Sequence, residues 1–129
     1  MVNVHQIVAI VDDDESVCRA IKRLLHSVGI GADTFSSGDA FLRTLSSIPS
    51  YRAACVILDI LMPGINGLEV VQRHLAPTSV PVIFITACDD PAVREMALAS
   101  GAAGYLRKPF NEAILIKALE MALGTTPTA

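Results

Sequence analysis

Three consecutive aspartates, Asp12, Asp13 and Asp14, and a lone Asp59 ending the apolar run Cys55-Val56-Ile57-Leu58 are the residues best suited to chemistry. Thr86 follows the run Val82-Ile83-Phe84-Ile85, and Lys108 follows Tyr105-Leu106 after one arginine. Carboxylates brought to one place repel each other, so they cannot all stay ionised and unpaired. A divalent cation resolves that conflict, and an all-oxygen donor set suits magnesium, which takes few protein groups and keeps several waters. A carboxylate beside such an ion can attack a phosphoryl group and form an acyl phosphate. Lys108 would supply positive charge to the phosphoryl oxygens, and the Thr86 hydroxyl would donate a hydrogen bond to one of them.

Strands must carry these residues to a common edge. A continuous apolar run such as Cys55–Leu58 reads as a strand buried on both faces, inside a parallel sheet. Ile7 to Val11 is a second such run and ends at the aspartates; Val82 to Ile85 is a third. Weaker strands are predicted around Ala32 to Phe35 and through Tyr105. Between them lie helices. The first repeats Val17, Ala20, Ile21, Leu24, Leu25 and Val28 at helical spacing and stops at Gly29. The second opens at Ser36 to Asp39, carries Phe41, Leu45 and Ile48, and closes at Pro49. After the turn Met62-Pro63-Gly64 comes a third helix, from about Gly67 to Leu75, and Pro77 and Pro81 bracket the next loop. The fourth starts at Asp90-Pro91, buries Val93, Met96 and Ala97, and ends at Gly101. Asn111 caps the last, which ends near Leu123-Gly124. Five strands alternating with five helices imply a doubly wound α/β domain with parallel pairing. Open sheets of this kind bind ligands at the carboxyl ends of their strands.

The chain has 129 residues, 52% of them hydrophobic and 18% charged, and fits one domain with a real core. Residues 1–124 are expected to form it, with 125–129 as a flexible tail. A net charge of -3 and the lack of a basic stripe argue against nucleic acid as a direct partner. Cys18, Cys55 and Cys88 form no CxxC pair, and Cys18 and Cys55 read as buried, reduced thiols. No run is long enough to span a membrane and no signal peptide opens the chain, so a cytoplasmic protein is expected. His5, His26 and His74 are scattered and receive no role.

The blocks Val11-Asp12-Asp13, Leu58-Asp59-Ile60-Leu61-Met62-Pro63-Gly64-Ile65-Asn66-Gly67, Ile85-Thr86-Ala87 and Tyr105-Leu106-Arg107-Lys108-Pro109-Phe110 resemble the receiver domain of two-component response regulators. They occur in that family's order and spacing across nearly the whole chain. The resemblance implies a flavodoxin-like sheet of order 2-1-3-4-5. It makes Asp59 the residue phosphorylated by a sensor histidine kinase or phosphotransfer protein. Asp12, Asp13, Asp59 and the Leu61 backbone carbonyl would hold the magnesium, and Lys108 would contact the phosphoryl group. Thr86 and Tyr105 would form the switch pair. Such a module is not an enzyme beyond its own phosphorylation and slow dephosphorylation. Leu61 and Cys88 stand where the family often has polar residues, which bears on phosphoryl lifetime.

Asp13-Asp14 is an alternative metal pair, but strand phase favours Asp12-Asp13 and leaves Asp14 to start a helix. A second function is a magnesium-dependent phosphatase of the haloacid-dehalogenase type using Asp12 and Asp14. It leaves Asp59 idle and lacks a late acidic pair. For output, Val93, Met96, Ala97 and Ser100 are expected to face inward on the fourth helix, which turns Leu98 outward. On the last helix Ile114, Leu115, Ala118, Leu119, Met121 and Ala122 are the expected buried stripe, with Ile116 outside. Leu98, Tyr105 and Ile116 would then meet a second copy of the chain or an output partner.

Overall fold

The computed structural model describes residues 7–75, 78–87 and 90–124. Pro77, Cys88, His5 and the expected tail 125–129 lie outside them. The strands are β1 (Ile7–Val11), β2 (Gly31–Phe35), β3 (Cys55–Asp59), β4 (Val82–Thr86) and β5 (Gly104–Arg107). They pair in parallel in the order 2-1-3-4-5. The helices are α1 (Glu15–Ser27), α2 (Gly38–Ser47), α3 (Gly67–Val70), α4 (Pro91–Ala99) and α5 (Glu112–Leu123).

Every residue of β3 and β4 is buried, as continuous apolar runs require. Side chains alternate across the sheet and split the core in two. Val11, Leu58 and Phe84 meet α2, α3 and α4 through Phe41, Val70 and Ala97. Ile10, Ile57 and Ile85 meet α1 and α5 through Ile21, Leu25, Leu115 and Leu119. Each fully buried aliphatic side chain contributes about 1.5–3 kcal/mol, so these layers fix the sheet and hence its carboxyl edge.

Helix starts follow local polar chemistry. Ser37 Oγ accepts from Ala40 N, Asp90 Oδ1 from Ala92 N, and Asn111 Oδ1 from Ala113 N. Asn66 and Glu69 form a reciprocal capping box at α3. The helix expected from Gly67 to Leu75 keeps α-helical bonding only to Val70; Val71–Leu75 widens into a π-helical turn. Apolar spacing does not distinguish the two, since Val71 and Leu75 are buried either way.

Two helix faces differ from expectation. Met96 is exposed on α4, where only Ala97 is fully buried. On α5, Ile114 and Met121 are 55% and 74% exposed, whereas Ile116 packs against the core with Leu115 and Leu119. Leu98 does face outward. Ile48, expected within α2, is its exposed C-cap. Because α5 is apolar nearly all round, its sequence does not select a face; contact with the sheet does.

Candidate functional site

β1 ends by delivering Asp12, fully buried, to the carboxyl edge of the sheet, and β3 delivers Asp59, 4% exposed. Asp13 is exposed beside them. One oxygen from each of Asp12, Asp13 and Asp59 lies within 4.8 Å of the others. Asp14 does something else. Its Oδ1 accepts from Ser16 N at 2.9 Å and Ser16 Oγ at 2.6 Å, capping α1. Those hydrogen bonds hold its carboxyl below the usual range.

Lys108 follows β5 and reaches across the edge. Its Nζ stands 2.6 Å from Asp12 Oδ2 and 3.3 Å from Asp59 Oδ2. Asp59 Oδ1 accepts weakly from Leu61 N at 3.3 Å. Burial, and then the charge of Asp12, push the Asp59 carboxyl up to about 6 against the opposing pull of Lys108. Burial disfavours the Lys108 ammonium, but Asp12 and Asp59 outweigh it and raise its pKa.

The acidic group also fits a divalent cation. Asp12 Oδ1 accepts from Asp14 N at 2.9 Å, whereas buried Oδ2 faces Lys108 at an angle that makes no hydrogen bond. A buried carboxylate oxygen lacking an aligned donor, beside two more carboxylates, suits a hard cation that coordinates oxygen without directional hydrogen bonding.

Thr86 is buried at the end of β4, and its carbonyl accepts from Lys108 N at 2.8 Å. Tyr105 pairs with Phe84 across β4 and β5, so it lies diagonal to Thr86 on the same sheet face. It is half-buried, with the Arg94 guanidinium 6.0 Å from its ring centre. A cleft of about 500 Å³ between α4 and β5 is lined by Arg94, Leu98, Tyr105 and Arg107. Leu61 is 54% exposed at the mouth of the site.

Two supports escaped the reading of residue types. Cys18 Sγ donates to the Asp12 carbonyl at 3.3 Å, anchoring the strand end to α1. Burial and the Asp12 charge push this thiol up to about 11, so it is a packing group and no nucleophile. Gly67 lies directly under the Asp59 carbonyl: a Cβ there would sit 2.4 Å from that oxygen. The Asn66-Gly67 pair was the available signal, a cap followed by a residue without a side chain.

The haloacid-dehalogenase reading is not supported. Asp14, its required second acid, is spent on capping α1, while Asp59, which it leaves idle, meets Lys108. Comparison with known proteins agrees. The sequence profile of the response regulator receiver domain matches residues 8–120. The response regulator protein TmoT of Ectopseudomonas mendocina is 37% identical over 125 residues, which is 95% of this chain and 55% of that protein. The transcriptional regulatory protein FixJ of Bradyrhizobium diazoefficiens is 32% identical over 88% of this chain and 55% of its own length. The chain thus spans about half the length of these curated relatives. Among solved structures, a response regulator receiver protein from Burkholderia phymatum is 60% identical with a TM-score of 0.86, over 96% of this chain and 99% of that one. FixJ-N superposes over all of both chains with a TM-score of 0.81 at 29% identity. Matched in sequence and in fold over nearly all its length, the chain belongs to the response regulator receiver domain family.

Proposed function

We propose that Asp59 accepts a phosphoryl group from a sensor histidine kinase or phosphotransfer protein, and that the chain acts as a signalling module rather than an enzyme. The observation that carries this is the meeting of Asp12, Asp13 and Asp59 within 4.8 Å, with Lys108 Nζ close to two of them. An Asp59 oxygen attacks phosphorus, the P–N bond to the donor histidine breaks, and the imidazole leaves and takes a proton. Asp12, Asp13, Asp59 and the Leu61 backbone carbonyl would hold Mg2+, which supplies positive charge to the phosphoryl oxygens. Lys108 passes from the carboxylates to a phosphoryl oxygen, and Thr86 donates to another. Incubation with acetyl phosphate and magnesium tests the reading: intact mass should show one added phosphoryl group. Turnover of a phosphate ester without such an adduct would overturn it. No described helix is long and apolar enough to cross a membrane, which suits work beside a kinase in the cytoplasm.

Phosphoryl lifetime should be long. Hydrolysis needs a water held in line with the phosphorus–oxygen bond, and Leu61 offers it no hydrogen bond. Leu61→Asn should speed loss of the adduct several-fold, read by mass over time; an unchanged decay would show that this side chain does not govern water access.

Thr86 and Tyr105, diagonal neighbours on one face, form the proposed switch pair. Their movement would change the surface of α4, β5 and α5, where Leu98 is 48% exposed. Ile116 is replaced there by Ile114 and Met121, the exposed apolar residues of α5. Such a surface suits a second phosphorylated copy or an output partner, favoured by a shift of a pre-existing equilibrium. With beryllofluoride, light scattering should show association that Leu98→Asp with Ile114→Asp reduces at least tenfold without preventing phosphorylation. A beryllofluoride complex that stays monomeric at high concentration would rule out self-pairing.

A further inference from the structure

α1 has two unlike flanks beside its buried stripe. Val17, Ala20 and Leu24 lie on the side toward Phe110, while Arg19, Lys22, Arg23 and His26 lie together on the side toward β2. All four basic residues are exposed. Among the described residues their one ion-pair partner is Glu15, which Arg19 meets at 3.8 Å. An acidic chain of net charge -3 therefore does carry a basic stripe, from Arg19, Lys22 and Arg23 on one flank of α1, which the sequence reading did not find.

That flank overhangs the edge of the sheet. β2 pairs with β1 alone, so the outer side of Gly31–Phe35 carries strand amides and carbonyls outside any ladder. Between helix and edge runs a groove of about 330 Å³ with Ile30, Gly31 and Ala32 as its floor. It meets at Arg19 a second hollow of about 320 Å³ reaching Thr34, Phe35 and Ser36. The small residues at the floor leave room for another backbone. The acid of this strand is kept away: Asp33 Oδ2 accepts from Tyr51 Oη at 3.1 Å, and Tyr51 packs with the core layer opposite α1.

We propose that this groove binds an extended acidic polypeptide that adds to the edge of β2. Its backbone pairs with Gly31–Phe35, and its alternate side chains, carboxylates, face Arg19, Lys22, Arg23 and His26. Charge complementarity selects the occupant. A nucleic acid has no strand backbone to pair with the edge of β2, and a lipid surface would find no large apolar side chain projecting from this flank. The surface is separate from α4, β5 and α5, and the inference does not depend on phosphorylation of Asp59.

The test uses the full chain and a dye-labelled peptide alternating glutamate and valine. Its anisotropy should saturate at low salt, and a peptide with lysine replacing glutamate should not bind. Lys22→Glu with Arg23→Glu should weaken binding about tenfold, and so should a large rise in ionic strength. Lys22→Gln with Arg23→Gln should weaken it less and guards against a folding defect. Backbone amide shifts should move along Gly31–Phe35. Absence of saturation, equal binding of the lysine peptide, unmoved β2 amides, or tighter binding of duplex DNA or anionic vesicles would each overturn the proposal.

Discussion

Asp59→Asn protein incubated with magnesium and acetyl phosphate should gain no phosphoryl mass, while the parent chain gains one group. Asparagine keeps the shape of the side chain and removes the attacking oxygen's charge. The same substitution has a second consequence. Burial and Asp12 raise the Asp59 carboxyl to about 6, so its protonated form is the one the folded chain favours. Stability from this group is full below the ordinary carboxylate range near 4 and is lost as pH rises through about 6. At neutral pH without metal, Asp59→Asn should therefore be more stable than the parent by about 1 kcal/mol, the lost contact with Lys108 offsetting part of the gain. At pH 4 the difference should shrink toward zero. Urea midpoints at the two pH values check both statements, and a lower neutral midpoint for the variant would contradict crowding at the site.

Gly67→Ala should be the most damaging of the conservative substitutions. The new methyl group would meet the Asp59 carbonyl oxygen at 2.4 Å, the Ile60 Cα at 3.0 Å and the Asp59 carbonyl carbon at 3.1 Å. All three are backbone atoms, so no rotamer change makes room. Either α3 moves off β3 or the end of β3 that carries Asp59 shifts. A loss of about 2–4 kcal/mol and a fall in Tm of about 10 °C are expected. Phosphorylation should fall too, even where the protein remains folded by circular dichroism. Gly104→Ala is the control. There a Cβ would rest 3.5 Å from Ile83 and 3.7 Å from Ala118, which is ordinary contact, and the variant should be near neutral. Equal effects at the two glycines would show that the close approach under Asp59 is not what matters.

The three central strands β1, β3 and β4 were legible because they are short, continuous and β-branched, and because a polar residue stands at or just past the end of each. Ile7–Val11 and Cys55–Asp59 are examples, and both match their expected bounds. The separation of Asp12 from Asp14 was also readable, since strand phase buries one and helix start claims the other. What failed was the choice of face on helices without a polar side. α5 carries Ile114, Leu115, Ile116 and Met121 at successive angles, and only its seat against Ile57 and Ile83 decides which are covered. Gly67 was read as the start of a helix but not as a spacer, because a contact 2.4 Å from a distant backbone atom leaves no trace in periodicity.

The ammonium of Lys108 binds a strand it does not neighbour. β5 and β1 are separated in the sheet by β3 and β4, and the ion pair at 2.6 Å spans both. In sequence it joins positions 12 and 108, so most of the chain lies inside the loop it closes. Closing so long a loop is unfavourable until the intervening strands have already aligned. The bridge is therefore expected to form late on the folding route, after the transition state. Lys108→Ala should accelerate unfolding and leave the refolding rate nearly unchanged in stopped-flow denaturant jumps. On this order of events the sheet forms first and its carboxyl edge is cross-linked afterwards, so the cation proposed to meet the phosphoryl group is one that the folding transition state does not need.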